Sequence, residues 1–243
     1  MSFIVADKLM KTYGQGDALV TAVAEMSFQI EAGEFVGIMG ESGAGKSTLL
    51  GMMGAMNAPT SGKLLVDDID IYSLRQEQRA DFRREFLGFV FQSFHLVNYL
   101  TVIENVMLPL AVVKAGKKKK RSMAEEALAQ VGLLEKANRL PSQISGGEKE
   151  RVAIARSIVN EPPVLLADEP TGNLDTKTSR EIMELLHKLN RAGMTIIMVT
   201  HSPECARYAR RIMNVSDGRL VEETQRDSNL TSIDADTQLS LVG

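Results

Sequence analysis

Phe35-Val36-Gly37-Ile38-Met39-Gly40-Glu41-Ser42-Gly43-Ala44-Gly45-Lys46-Ser47 is an apolar run that breaks into a glycine-rich turn ending in Lys-Ser. Thr48–Met56 follows with a helical pattern. Strand, loop and helix in that order are the setting that the spacing G-x-x-x-x-G-K-[ST] requires. Glycines let backbone N–H groups close around phosphate oxygens, and the helix start adds its positive end. The candidate phosphate-contacting residues are therefore Gly40, Glu41, Ser42, Gly43, Ala44, Gly45, Lys46, Ser47 and Thr48. Lys46 is expected to reach the outer phosphates of a nucleotide, and the Ser47 hydroxyl to hold Mg²⁺. The competing reading is a packed turn without ligand, which has no use for the Lys-Ser pair.

Working outward, three further apolar runs repeat the character of Phe35–Met39: Phe89–Phe91, Val164–Ala167 and Thr195–Thr200. They are continuous rather than alternating, as in strands buried on both faces of a parallel sheet. Between the last two, Ile182, Leu185, Leu186 and Leu189 follow the helical period, and Gly193 marks a stop. Strands alternating with helices predict an α/β fold with a mostly parallel sheet. Ile4–Val5, Met26–Ile30 and Leu64–Val66 read as an N-terminal antiparallel β subdomain. Met213–Val215 and Leu220–Val221 flank Asp217-Gly218, a hairpin signal. From about residue 93 to 158 no strand pattern occurs, which predicts an α-helical subdomain inserted into the core. Its stripe is Met123, Ala127, Leu128, Val131 and Leu134, with Ser122 and Glu125 read as a capping box at its start. The expected organisation is one domain over 1–223, with its core in 1–92 and 159–223, then a polar, loosely ordered tail over 224–243.

Val164–Ala167 runs into Asp168-Glu169. A strand ending in two acids at such a sheet delivers one carboxylate to a metal and one toward the outer phosphate. Asp168 is the expected metal ligand and Glu169 the residue that polarises water.

Composition narrows the classes. At ~150 residues per domain, the length corresponds to ~1.6 domains. Lys and Arg number 28 against 31 Asp and Glu, a net charge of −3, which argues against a general nucleic-acid binder. Cys205 is the single cysteine, so no internal disulfide forms. Met1–Gly14 contains Asp7 and lacks the apolar centre of a secretory signal. No run nears the ~18 apolar residues of a membrane helix. A GTPase is disfavoured because there is no Asn-Lys-x-Asp base-reading motif. Coiled-coil heptads are absent as well.

Ser145-Gly146-Gly147-Glu148, followed by Arg151 and Val152-Ala153-Ile154-Ala155-Arg156, resembles the signature motif of ATP-binding cassette (ABC) proteins. Other positions fall into that family's order: Tyr13 as the adenine-stacking aromatic, Gln92 as the Q-loop glutamine, Asn173-Leu174-Asp175 as the D-loop and His201 as the switch histidine. The resemblance covers about residues 3–223. Ala167–Asp175 and Phe91–Val106 are similar to the subgroup of lipoprotein-release, macrolide-export and cell-division ATPases. One departure is Glu148, where many members have Gln.

The resemblance implies an ATP-binding subunit that hydrolyses Mg-ATP, with ATP and Mg²⁺ as cofactors. It implies a head-to-tail dimer with a second copy, in which the signature residues Ser145, Gly146, Gly147 and Glu148 close on the partner's nucleotide. In it Ser47, Gln92 and Asp168 hold the metal, Glu169 and His201 are catalytic, and Asp175 crosses the interface. A separate transmembrane permease would be driven, placing the chain in the cytoplasm, peripheral at the inner face of the membrane. Nucleic acid is not an expected partner. An ATP-driven regulator without transport, as in the cell-division branch, is the alternative. Two segments stay open. Lys117–Lys120 with Arg121 reads as a solvated loop or as a contact with an anionic membrane surface. Val97–Val113 buries within the helical subdomain or forms a groove for a permease helix. Tyr13 is otherwise a core aromatic, Cys205 a buried thiol, and His187 a water-facing residue.

Overall fold

A computed structural model describes residues 2–225. In chain order its elements are β1 (Ser2–Tyr13), β2 (Val20–Glu31), β3 (Phe35–Met39), α1 (Lys46–Met53), β4 (Ser61–Val66), β5 (Ile69–Asp70), α2 (Gln76–Phe86) and β6 (Leu87–Phe91). There follow α3 (Val102–Met107), α4 (Lys117–Gln130), α5 (Gly146–Ile158), β7 (Val164–Asp168), α6 (Thr176–Arg191), β8 (Thr195–Val199), α7 (Pro203–Ala206), β9 (Arg211–Ser216) and β10 (Arg219–Gln225).

Two sheets result. The first is antiparallel, in the order β2-β1-β4-β5. The second is six-stranded, β10-β9-β3-β8-β7-β6, parallel except for the terminal β9–β10 hairpin. The fold is α/β, with α3, α4 and α5 inserted between β6 and β7. The continuous apolar runs are explained by two cores. Val164, Leu166, Ile197 and Val199 face the antiparallel sheet and α1. Leu165, Ala167, Ile196 and Met198 face the side that holds α3 to α6. A strand that serves both cores leaves no position for a polar residue.

The register of the parallel strands positions the functional edge. Phe91, Asp168 and Val199 lie in one row across β6, β7 and β8, and Ile38 of β3 pairs with Val199. Whatever follows these residues therefore emerges together at the carboxyl ends of the strands, where open α/β sheets bind ligands.

The structure corrects several local readings. β1 and β2 are far longer than the short runs the sequence suggests. Their alternation is broken by register shifts, with Lys8 (φ 46°) and Glu25 (φ 50°) in the left-handed region. Such irregularities hide a strand from a period-two search. α4 starts at Lys117, capped by Gly116, so Ser122 is no cap: it lies inside the helix, its hydroxyl donating to Glu126 at 2.8 Å. Lysine is a good helix former, and the run extends the helix rather than preceding it as a loop. Leu134 leaves the stripe and is 46 % exposed, in a short 3₁₀ turn. His187 is half-buried rather than water-facing, edge-on to Tyr208 with ring centroids 6.4 Å apart. Phe82 and Phe86 stack as one stripe, at 4.9 Å. Cys205 is buried beside the Thr171 hydroxyl, at 3.2 Å. Thr224 and Gln225 close β10. The rest of the expected tail, 226–243, lies outside the described residues.

One core position is chemically expensive. Glu150 on α5 is fully buried, and neither carboxylate oxygen has a hydrogen-bond partner among the described residues. Burial pushes its carboxyl up to about 8, against the opposing pull of Arg156. The folded chain then holds a proton that the unfolded chain releases near the ordinary glutamate value. Stability carried by this group is complete below that value and drains away as pH rises to about 8. Glu150→Gln is expected to match the parent near pH 4.5 and to exceed its stability by roughly 2–4 kcal/mol at pH 7. Denaturant unfolding at several pH values checks this; a constant gap across pH would contradict it.

Candidate active site

The loop after β3 is forced open by its neighbours. Gly45 has φ 97°, and a Cβ there would lie 2.0 Å from the Ala22 carbonyl oxygen. At Gly40 (φ 155°) a Cβ would lie 2.1 Å from the Val215 oxygen. Only glycine permits this approach of backbone to backbone. Ala44 does the opposite work: its side chain is buried in the core, and its carbonyl accepts from the Gly218 N–H at 3.1 Å. The loop is thereby pinned on one flank by the β9–β10 hairpin and on the other by β2.

Lys46 opens α1 and is only 6 % exposed. Its ammonium folds back over the loop, donating to the carbonyls of Gly40 (2.8 Å) and Glu41 (2.7 Å). This leaves donor capacity on a desolvated cation, facing a cleft. That cleft, of about 720 Å³, is lined by Ala22, Gly40–Gly43, Gly45–Thr48, Gln92, Glu169 and His201.

The other wall is the strand-end row. The Ser47 hydroxyl lies 3.3 Å from Asp168 Oδ1. The Asp168 carboxyl is held above its usual range, chiefly by burial; Ser47 and Lys46 pull it down, and Glu169 pushes it up. Glu169 turns out of β7 with φ 48°, its N–H bonded to the Val199 oxygen at 2.9 Å. A glutamate in that conformation costs on the order of 1 kcal/mol, a strain found where a side chain must be aimed. Its carboxylate meets His201 Nδ1 at 3.1 Å. Gln92 follows β6, and its carbonyl accepts from Asn173 Nδ2 at 2.9 Å, which joins the segment after β6 to the segment after β7.

The remaining expected residues stand elsewhere. Tyr13 ends β1 opposite Val20, two residues before Ala22, and is 44 % exposed with Lys11 5.1 Å from its ring centre. Asp175 caps α6, accepting from the Thr178 N–H at 3.0 Å, and the Thr178 contacts hold its carboxyl below the usual range. Ser145 caps α5 in a reciprocal box: its hydroxyl accepts from the Glu148 N–H at 3.3 Å, and Glu148 accepts from the Ser145 N–H at 2.9 Å. Glu148 also pairs with Lys136, whose hydrogen bond does most to hold its carboxyl below the usual range. None of Ser145, Gly146, Gly147 or Glu148 lines the cleft. Ala22 does line it and was missed by sequence reasoning. An alanine in an irregular strand carries no signal; Gly45, whose freedom it requires, is its only trace.

Residues 23–172 match the sequence profile of the family described as ABC transporter. The chain belongs to the ABC transporter family. As a member it is an ATP-binding subunit and an ATPase. It is 45 % identical over 219 residues to an uncharacterized ABC transporter ATP-binding protein, MJ1508, of Methanocaldococcus jannaschii, covering 90 % of this chain and 98 % of that one. It is 39 % identical over 230 residues to the macrolide export ATP-binding/permease protein MacB of Neisseria meningitidis, covering 95 % of this chain but only 36 % of that one. Among solved structures, the ATP-binding cassette MJ0796, dimeric in a post-hydrolysis state bound to ADP and Pi, superposes with TM-score 0.84 and 41 % identity, over 92 % of this chain and 99 % of that one.

The packing around this cassette's loop gives a direct test. Gly45→Ala is expected to cost roughly 2 kcal/mol, a fall of about 5 °C in thermal midpoint for a chain of this size. Calorimetry checks this, and an unchanged midpoint would contradict the close approach to Ala22.

Proposed function

We propose that this subunit works as a head-to-tail dimer, two copies enclosing two ATP molecules, and that it powers a separate permease of the lipoprotein-release or macrolide-export type. The observation that carries the reading is the division of the site. One chain assembles Lys46, Ser47, Gln92, Glu169 and His201 around a single cleft, while the serine-capped start of α5 lies outside it. A helix start with a serine cap and two glycines is an anion site in its own right. Supplied by the second copy, it completes the enclosure of the nucleotide.

Within that arrangement each side chain has a task set by its chemistry. Lys46 presents its ammonium to the outer phosphates. Tyr13 stacks on the adenine. The residues fit Mg²⁺: a hydroxyl and a carboxylate within 3.3 Å of each other are hard oxygen donors, and Gln92 adds an amide oxygen. When bound, the ion neutralises charge on the transferred phosphoryl group. Glu169 accepts a hydrogen bond from the attacking water and orients it in line with the leaving group, and His201 fixes the carboxylate and contacts the outer phosphate. Asp175 meets the partner across the interface. Gln92, which follows β6 at the entry to the helical subdomain, couples the cleft to it.

Relatives that combine ATP-binding and permease functions in one polypeptide support coupling to a membrane protein. Among the described residues no helix is long and apolar enough to cross a membrane, and the proposed permease is a separate chain at the inner membrane face. Glu169→Gln is expected to keep ATP binding, lower turnover by about a hundredfold or more, and accumulate an ATP-dependent dimer. Lys46→Ala is expected to weaken ATP affinity at least about tenfold. Sedimentation with and without ATP, together with nucleotide titration, checks both. Turnover at the parent's rate in Glu169→Gln, or unchanged affinity in Lys46→Ala, would contradict the assignments.

A further inference from the structure

From Asn105 to Ala124 the chain carries six cationic residues (Lys114, Lys117–Lys120 and Arg121) and no acid, although the whole protein is acidic by three charges. The structure turns most of that run into the first turns of α4, with no acidic residue in the first turn. Successive positions at about 100° apart distribute the cations all round the helix end. This is the wrong sign for that end, where the backbone already concentrates positive charge. The helix dipole is therefore no reason for the run. Among the described residues only Arg121 finds an acid, Glu125 at 2.9 Å, while Lys117, Lys118 and Lys119 are exposed and make no ion pair.

The cluster sits on a fixed mount. Lys120 donates to the Ala111 carbonyl at 3.2 Å, tying the helix start to the 3₁₀ turn Leu108–Val112. That turn exposes apolar surface directly beside the cations: Val112 is 66 % exposed and Leu108 41 %. Cations around a helix end with an aliphatic rim are the composition of a surface that lies against lipid headgroups.

We propose that the start of α4, with Leu108 and Val112, docks on an anionic phospholipid bilayer. The residue type favours this occupant over a phosphorylated or acidic peptide. Lysines are mobile point charges suited to a diffuse negative surface, whereas a geometrically defined anion calls for the planar fork of arginine and a pocket to hold it. The inference deepens the membrane location given above but is tested apart from it, because vesicle binding by the chain alone requires neither permease nor nucleotide.

The experiment is co-sedimentation of the full chain with phosphatidylcholine vesicles, with and without phosphatidylserine, at low and high salt. Binding is expected to require phosphatidylserine and to fall with salt. Lys117→Gln, Lys118→Gln and Lys119→Gln combined are expected to lower it by about tenfold or more. Glutamine preserves helix propensity, so the fold and the ATP turnover measured without lipid remain at the parent's level. Val112→Ser is expected to weaken binding at high salt as well, where the charges are screened. Equal binding to neutral vesicles, no binding to either kind, or unchanged binding by the triple variant overturns the proposal. So does salt-sensitive capture of an acidic peptide without vesicle binding. None of these outcomes bears on ATP-dependent dimerisation, which is measured in solution.

Discussion

The two hydrogen bonds from Lys46 to the carbonyls of Gly40 and Glu41 close the loop on which the rest of the site depends. An ammonium this buried has exchanged water for two backbone oxygens, and it keeps a third donor at the wall of the cleft. The exchange works only because the loop is held from outside. β2 presses against Gly45, and the β9–β10 hairpin against Gly40 and Ala44. The antiparallel sheet is thus part of the candidate site, since its β2 strand supplies a wall of the cleft through Ala22.

The second constraint is the common register of β6, β7 and β8. One hydrogen-bonded row ends at Phe91, Asp168 and Val199, so Gln92, Glu169 and the Thr200-His201 turn leave the sheet together. Three residues spread over 109 positions of sequence thereby share one edge. The price of this convergence is local. Glu169 occupies a left-handed conformation, and the desolvated Asp168 holds its proton more tightly than an exposed aspartate.

How much of this was legible depended on how local each cause was. The phosphate loop, the strand ending in Asp168-Glu169 and the helix over Ile182–Leu189 announce themselves because each is a short stretch with its own period and punctuation. The α/β architecture followed from the continuous apolar runs, and the two cores explain why those runs do not alternate. What was hidden depends on distant partners. The full lengths of β1 and β2 are masked by bulges at Lys8 and Glu25. Ala22 gains its place from an interaction with Gly45. The start of α4 was misplaced because Ser122 followed by Glu125 imitates a cap, while the lysines before it extend the helix against its own dipole. Glu148 departs from the Gln of many family members, and the sequence does not show its partner; the pairing with Lys136 shows how its charge is neutralised.

The central claim is that one chain holds half of a working site. The measurement that tests it most directly is ATP turnover per chain as a function of chain concentration, with ATP saturating. If the start of α5 must come from a second copy, turnover per chain rises with concentration and levels off as the dimer fills. A turnover per chain that stays constant down to concentrations at which sedimentation finds only monomer would contradict the account.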